Sequence, residues 1–328
     1  MCFSGIQSTG IPHLGNYIGA IQNWVKLQDA GFDKAYFSVV DFHSITVPQD
    51  PAMLRQNTRD TAIALLASGI DPEKSVLFQQ ARVPQHTELA WILGCITSTG
   101  QLSTMTQWKT KKNNTKAPCL GLFSYPVLMT ADILLYRGTH VPVGNDQQQH
   151  LELARNIAAN FNSIFGEMFP KPDPMFTAAP RMMSLRDPSS KMSKSDFSAN
   201  SRIDLTDTSD VVQRRIRKAV TDSVPFITYD PTGRPGVSNL LQLYASLGPE
   251  SINTPEEAAQ HLHDLDMAQF KDAVTDAVVT HLTPIQAEMK RLHGADAYVD
   301  AVLDAGAAQA QAHADETMAE VRSLVGLR

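Results

Sequence analysis

The sequence has few cysteines, no long hydrophobic run and no excess of positive charge, and each deficit excludes some classes of protein. Its three cysteines, Cys2, Cys95 and Cys119, are too few and too widely spaced for a disulfide framework or a CxxC metal site. No stretch of about 18 apolar residues occurs, so we expect no membrane-spanning helix. A globular protein of a reducing compartment is therefore expected.

The charge balance argues against an extended nucleic-acid-binding surface. The chain has 28 Lys and Arg against 34 Asp and Glu, a net charge of −6, whereas nucleic-acid binders usually carry a basic footprint. A local basic patch is still compatible with this total. The length of 328 residues and the 43% hydrophobic content predict about two domains with ample cores. The N-terminus resembles a first strand rather than a signal or transit peptide.

Strand-like and helix-like patterns alternate in the first half of the chain. The apolar runs 35–40 and 75–80 fit buried strands. Helical spacing follows His13 and again Asp50, which is placed as an N-cap directly before Pro51. This alternation predicts an α/β fold with a Rossmann-like, doubly wound parallel sheet, whose ligands bind at the carboxyl edge of the strands.

Helical patterns dominate after about Pro188, which marks a predicted domain boundary. The densest basic cluster of the chain lies in this helical part. A cluster of this kind is commonly a solvated helix face, and it is also a candidate contact for RNA. Its members are Arg214, Arg215, Arg217 and Lys218.

Two segments far apart in sequence have the features of phosphate-binding sites. In 189-SSKMSKSD-196, Lys191 and Lys194 lie three residues apart among hydroxyl side chains with no apolar face, which predicts a mobile cationic arm for a polyphosphate. Near the N-terminus, a glycine-containing turn leads into a helix that places His13 and Asn16 on one side of its first turn. Each segment alone is often a plain surface loop. For both to bind one polyphosphate, the fold must bring them together.

These segments resemble the two signatures of class I aminoacyl-tRNA synthetases. The residues 13-HLGN-16 are similar to the HIGH signature, and 191-KMSKS-195 matches the KMSKS signature. With 125-YPVLMTADILLY-136 and 144-GNDQQQH-150 between them, the chain resembles the tryptophanyl-tRNA synthetases along essentially its whole length.

The resemblance implies three regions and a two-step reaction. A Rossmann-like catalytic domain would cover 1–187, a helical anticodon-binding domain 188–283, and C-terminal helices over 284–328 would return to the catalytic domain. Members of this family activate L-tryptophan with ATP, giving tryptophanyl-adenylate and pyrophosphate, and then transfer tryptophan to tRNA(Trp). Mg²⁺ would bridge the phosphate oxygens of ATP with few protein ligands, and a homodimer is implied.

The resemblance also assigns roles in phosphate chemistry. The segment 108–116 is rich in lysine and asparagine and predicts a flexible loop, which in the family closes over ATP with Lys109 and Lys111 as candidates. Catalysis is expected to come mainly from alignment and charge stabilisation. The catalytic candidates are His13, Asn16, Lys111, Lys191 and Lys194. The ATP-binding candidates are Gln7, Gly15, Asn16, Gly144, Asp146, Met183, Lys191, Met192, Ser193 and Lys194.

The amino-acid pocket is predicted around one helix face that carries Tyr125, Met129, Asp132 and Tyr136. Asp132 lies among aliphatic residues and needs a hydrogen-bond donor, which a backbone N–H or a lysine could supply. By resemblance, Asp132 accepts the indole N–H of substrate tryptophan. Such a site rejects phenylalanine, while the tyrosine hydroxyl can also donate. The tryptophan-binding candidates are Phe3, Val40, His43, Tyr125, Met129, Asp132, Val141, Val143 and Gln147.

The segment 139–153 reads as a strand, a glycine and a helix that begins at Asn145 or Asp146. Asp146 is placed to bind a ribose hydroxyl, although it also fits a plain helix cap. Asn145 stands where an acidic residue is common in the family, which is expected to change nucleotide affinity slightly. Ser8 stands where proline is usual, which is expected to loosen the turn before His13.

Three alternatives differ in substrate or class. A tyrosyl-tRNA synthetase has the same architecture, and a small-molecule nucleotidylyltransferase also uses a histidine-glycine phosphate motif. A catalytically silent RNA-binding paralogue is the third. The resemblance is somewhat nearer the organellar enzymes, so a mitochondrial matrix location is preferred to a bacterial cytoplasm.

Overall fold

A parallel five-stranded sheet is the centre of the fold. The computed structural model describes residues 1–113, 118–144, 147–176, 180–194 and 196–327. The strands lie in the order β3-β2-β1-β4-β5, and every neighbouring pair is parallel. They are β1 Cys2–Ile6, β2 Ala35–Val39, β3 Val76–Gln79, β4 His140–Val143 and β5 Asp173–Phe176. The order reverses on either side of β1, so the predicted doubly wound sheet is confirmed.

Helices lie between the strands and make up most of the regular structure in the second half of the described chain. The N-terminal and sheet-associated helices are α1 Leu14–Asn16, α2 Gln22–Leu27, α3 Asp41–Ser44, α4 Pro51–Ala67, α5 Gln85–Gly94, α6 Thr99–Thr104, α7 Thr106–Asn113, α8 Leu120–Leu134 and α9 Gln148–Phe165. The later helices are α10 Ser209–Arg217, α11 Pro235–Leu247, α12 Pro255–His261, α13 Met267–His293 and α14 Asp296–Val325. Within the described ranges, none of these helices is both long and apolar enough to cross a bilayer.

The chain forms two compact units, and neither is continuous in sequence. The first consists of Met1–Gly10, Trp24–Thr177 and Ala295–Arg328, and the second of Ile11–Asn23 and Ala178–Gly294. The first unit contains the whole sheet. The second contains both predicted phosphate-binding segments, so folding places His13 in the same unit as Lys191. The assignment of a catalytic domain to 1–187, an anticodon-binding domain to 188–283 and returning helices to 284–328 stays a prediction.

Close backbone contact joins α14 to the sheet in the first unit. A Cβ at Gly306 would overlap the Leu77 carbonyl of β3, so only glycine permits this approach. Ion pairs along the helix add to the contact: Asp300 of α14 binds Arg59 at 2.6 Å, and Arg322 binds Glu88 of α5 at 2.5 Å.

Local capping signals agree with the structure at α4, where the Asp50 carboxylate accepts the Met53 N–H at 2.9 Å. The helix predicted after His13 also forms, but residues Tyr17–Ile21 make a π-helical turn between α1 and α2. Turns of this kind are rare and occur mostly at functional sites.

Two predictions about local structure are wrong. The predicted loop 108–116 is helical as far as Asn113, and residues 114–116 lie outside the described part of the chain. The KMSKS segment was expected to lack an apolar anchor, yet Met192 is only 2% exposed and its N–H donates to the Met182 carbonyl at 3.0 Å. The local pattern missed this anchor because the segment that covers Met192 is remote in sequence.

Candidate active site

His13 and Asn16 of the second unit cap each other at the start of α1. The Asn16 backbone N–H donates to His13 Nδ1, and the His13 backbone N–H donates to Asn16 Oδ1, both at 3.3 Å. Because Nδ1 accepts a hydrogen bond, a neutral His13 carries its proton on Nε2. The Asn16 carbonyl oxygen is likewise engaged, which leaves the amide NH₂ to donate. Each side chain therefore has an N–H that can donate, as the predicted phosphate contact requires.

The environment of His13 keeps its ring neutral and in place. Burial, together with the positive charges of Lys194, Arg202 and Lys191, lowers the pKa of His13 to about 4. A Cβ at position 15 would lie 2.9 Å from imidazole atoms of His13, so Gly15 leaves the room that the ring occupies. The predicted assignment of Gly15 to this site thus has a steric reason.

The KMSKS segment of the second unit is held by backbone and side-chain contacts around Met183. Lys191 forms an antiparallel bridge with Met183, whose N–H donates to Asn239 Oδ1 at 2.9 Å. Met192 is buried, whereas Lys191 is exposed and Ser193 and Lys194 are half-buried. The anchored methionine fixes the backbone between the two lysines.

Lys194 lies in a partly buried, charged environment that local sequence did not reveal. Burial lowers the pKa of Lys194 to about 8, with Asp204 opposing the shift and Arg202 adding to it. Asp204 pairs with His13 in an antiparallel bridge and accepts from Arg202 Nε at 3.1 Å. Arg202 is thus a further cation near His13 that sequence reasoning missed, because an isolated arginine after the signature carried no motif.

In the first unit, Asp132 of α8 is the centre of a buried hydrogen-bond network. Its Oδ2 accepts from His43 Nε2, and its Oδ1 accepts from His86 Nδ1 and Gln80 Nε2, all at 2.7 Å. The predicted partners, a backbone N–H or a lysine, are wrong. Instead, the chain segments that follow β2 and β3 supply the three donors, because the carboxyl ends of these parallel strands meet at the same sheet edge.

The network keeps Asp132 ionised. Asp132 is 2% exposed, and burial alone raises its pKa, but the hydrogen bonds from His43 and His86 and their electrostatic interaction with the carboxylate outweigh burial and hold the pKa well below the usual range. Asp132 is therefore an acceptor-only group to which three donors are already bound. Such a group favours a ligand that donates a single N–H or O–H.

The remaining pocket candidates of the first unit fall into two groups. Tyr125 is buried, and its hydroxyl bonds Gln107 Oε1 at 2.7 Å and His150 Nε2 at 2.8 Å, while its ring meets His43 edge-on. The apolar candidates belong to the core or pack against it: Phe3, Val40, Val141 and Val143 are buried, and Met129 is half-buried.

The carboxyl end of β4 carries the next predicted elements. Gly144 is exposed directly after the strand, and Gln147 is half-buried at the N-cap of α9, its N–H donating to the Gly144 carbonyl at 2.9 Å. Asp146 lies outside the described residues, as does the side chain of Lys111. The roles of these positions in ligand binding stay predictions.

Ser8 lies in the turn after β1. Its N–H donates to Ser44 Oγ at 3.2 Å, and the two hydroxyls lie 3.0 Å apart in a buried contact. A proline could not make the first of these bonds. Hydrogen bonds to Ser44 thus hold the turn at Ser8, and a looser turn than with proline stays a prediction. The neighbouring Gln7 is exposed.

The basic cluster of α10 does not form one solvent-facing surface. Arg215 is buried, forms an ion pair with Asp207 and donates to the Arg202 carbonyl at 2.9 Å, which removes it from the candidate RNA contacts. Arg214, Arg217 and Lys218 are exposed, although Arg217 pairs with Asp272 at 3.2 Å.

Comparison with known proteins agrees with this combination of a parallel sheet and two signature segments. The family model for class I tRNA synthetases of the tryptophan and tyrosine type (W and Y) matches residues 1–283. The chain belongs to this family, in its tryptophanyl-tRNA synthetase branch. The resemblance predicted from the sequence is confirmed.

Both bacterial and mitochondrial enzymes are similar to this chain. A tryptophan–tRNA ligase of Brucella melitensis is 45% identical over 99% of this chain and 97% of its own. A mitochondrial tryptophan–tRNA ligase of Schizosaccharomyces pombe is 42% identical over 99% and 94%.

Two solved structures also match over essentially the whole chain. The tryptophanyl-tRNA synthetase of Mycoplasma pneumoniae superposes with a TM-score of 0.90 at 36% identity, covering 100% of this chain and 97% of the other. That of Campylobacter jejuni, complexed with ADP and tryptophan, gives 0.84 at 31% identity with 99% coverage of both.

Proposed function

We propose that the protein activates L-tryptophan with ATP and transfers it to tRNA(Trp). The main support for tryptophan as the substrate is the buried, ionised Asp132. Its remaining acceptor position suits the single N–H of an indole. Met129 and the buried valines around it supply the apolar surface for the ring. Phenylalanine would leave the carboxylate without its ligand donor.

In the first step, a tryptophan carboxylate oxygen bonds to the α-phosphorus of ATP while the bond to the pyrophosphate oxygen breaks. Both substrates are already reactive, so the protein contributes alignment and charge stabilisation. His13 donates from Nε2 and Asn16 from its amide, while Lys191 and Lys194 neutralise the leaving pyrophosphate. In the second step, a hydroxyl of the terminal tRNA ribose takes the acyl group and AMP leaves.

We propose that Mg²⁺ accompanies ATP as a partner of its phosphate oxygens. Among the described residues, no three His, Cys, Asp or Glu side chains lie close enough together to hold a metal ion. In this proposal the cation is carried mainly by the nucleotide and would neutralise phosphate charge when bound.

We propose a homodimer as the working assembly. On two packed helices of the first unit, Trp91 and Leu120 are each 77% exposed, and apolar side chains of this size are candidates for a subunit contact. Sedimentation that shows only monomers in active preparations contradicts the proposal. A mitochondrial matrix or a bacterial cytoplasm fits the enzyme, and the preference for mitochondria stays a prediction.

Amino-acid-dependent ATP–pyrophosphate exchange tests the proposed function. We expect exchange with tryptophan and not with phenylalanine or tyrosine. We also expect a large loss in Asp132→Asn, because an NH₂ group replaces one carboxylate oxygen and faces the donors bound there, either His43 or the pair His86 and Gln80. ATP binding and the unfolding midpoint of the variant serve as controls for its folding. Exchange with tyrosine keeps the fold and overturns the specificity. A folded protein with no exchange supports the silent-paralogue alternative.

A further inference from the structure

A buried relay of hydrogen bonds leads to Asp132 from the side opposite His43. The Tyr136 hydroxyl lies 2.8 Å from His86 Nε2, and His86 Nδ1 and Gln80 Nε2 both lie 2.7 Å from Asp132 Oδ1. We infer that His86, oriented by Tyr136, and Gln80 are positioning residues that set the specificity of Asp132 for an N–H donor. This inference rests on the proposed function, because it assumes that tryptophan binds at Asp132.

The hydrogen-bonding capacity of the carboxylate supports this role. A carboxylate offers about four lone-pair positions, two on each oxygen. Gln80 and His86 occupy both positions of Oδ1, and His43 occupies one of Oδ2. One acceptor position therefore remains, on Oδ2, and an indole brings one donor. Without His86 or Gln80, Asp132 could rotate or bind water, and its preference for that single donor would weaken.

The tautomer of His86 follows from its two partners. Asp132 is ionised and can only accept, so Nδ1 of His86 must carry a proton. In a neutral ring Nε2 then accepts, and the Tyr136 hydroxyl is its donor. Burial, with Asp132 and Tyr36 nearby, raises the pKa of Tyr136, so this hydroxyl keeps its proton. The Tyr136 hydroxyl thereby holds the opposite side of the ring and keeps Nδ1 directed at Asp132.

Packing keeps the relay in place. His86 and Tyr136 are both fully buried, and the Tyr136 ring stacks on Tyr36 with centroids 4.5 Å apart and on Phe3 at 5.6 Å. The His86 ring stacks on Phe78, with centroids 5.9 Å apart. The aromatic rings restrict the rotamers of both relay residues, as a positioning function requires.

The test compares tryptophan with β-(3-benzothienyl)alanine, a shape analogue that has sulfur in place of the indole N–H. The readout is the ratio of kcat/KM values for the two amino acids in pyrophosphate exchange. We expect His86→Gln, whose amide reaches the Nε2 position instead of the Nδ1 position, to lower this ratio on the order of tenfold. His86→Asn places its amide at the Nδ1 position and should restore much of the ratio.

Two further variants keep the test decisive if His86→Gln does not fold. Tyr136→Phe removes the hydroxyl that holds the Nε2 side of the His86 ring, and Gln80→Met removes one donor at similar volume. Both should lower the ratio while KM for ATP stays unchanged. A ratio that is unaltered in every folded variant overturns the inference alone. Absence of tryptophan-dependent exchange in the unmodified enzyme overturns the proposed function instead.

Discussion

At the residue scale, the turn that we propose binds phosphate depends on three neighbouring residues, His13, Gly15 and Asn16. The ring of His13 accepts one N–H within the cap, which fixes its proton on the outward nitrogen, and the low pKa prevents a second proton from changing that arrangement near neutral pH. Gly15 is needed beside the ring for steric reasons. A donor that is neutral and already oriented needs no reorganisation when phosphate charge develops.

Lys194 predicts a pH dependence for the same site. Because its pKa is lowered to about 8, the free enzyme loses this charge as the pH rises above 8, and kcat/KM for ATP should fall there. Bound phosphate favours the protonated amine, so kcat at saturating ATP should change less. Initial rates of exchange from pH 6.5 to 9.5, with tryptophan saturating, measure both parameters.

Lys194→Arg is the matched control for this pH dependence. A guanidinium remains charged throughout the range, so the variant should lack the alkaline decline, even if its activity at pH 7 is lower because the fork geometry differs. The same decline in Lys194→Arg as in the unmodified enzyme assigns the titration to another group and contradicts the prediction.

At the scale of elements, the contact of α14 with β3 depends on one missing side chain. Gly306→Ala forces a Cβ into the Leu77 carbonyl, so the helix must shift, and we expect a destabilisation of about 1–3 kcal/mol. Urea unfolding followed by circular dichroism measures the change in the free energy of unfolding.

Gly94→Ala provides a comparison within the same unit. No atom lies within 4 Å of a Cβ built at this helical position, so the substitution should be neutral or stabilise by up to about 1 kcal/mol. Equal, small effects of the two substitutions show that α14 is not closely docked and contradict the steric argument.

Elements near the sheet edge also show where local patterns fail. The strand β5 was not predicted, since Asp173 and Pro174 are poor strand residues, yet the strand forms at the edge of the sheet, where proline is tolerated. The helix α7 extends into the predicted loop because lysine and asparagine do not prevent helix formation when the preceding turn is already helical.

At the scale of the whole molecule, the exposed part of the basic cluster predicts a contact with tRNA that is separate from adenylate formation. Arg214→Glu and Lys218→Glu should each raise KM for tRNA several-fold in aminoacylation and leave ATP–pyrophosphate exchange unchanged. Each substitution removes a positive charge that would neutralise a tRNA phosphate and release its counterion, but neither residue takes part in adenylate formation. Aminoacylation at two salt concentrations measures the effect, which should diminish at higher salt.

Lys290→Glu, another exposed charge reversal in the second unit, is the control for net charge. It should leave KM for tRNA nearly unchanged. If all three variants weaken tRNA binding equally, the effect comes from the overall charge of the protein, and the prediction of a local tRNA contact is wrong.

The sequence by itself determined the signatures, the parallel sheet and single caps such as Asp50, because strand periodicity, helix caps and short motifs are local properties of the chain. It also placed Asp132 on the face of α8 that carries Tyr125. Only the tertiary structure decided that His43, His86 and Gln80 are its donors, that His13 stays neutral and that Arg215 is buried. These properties depend on burial and on contacts with residues outside the same helix or strand, which no local pattern encodes.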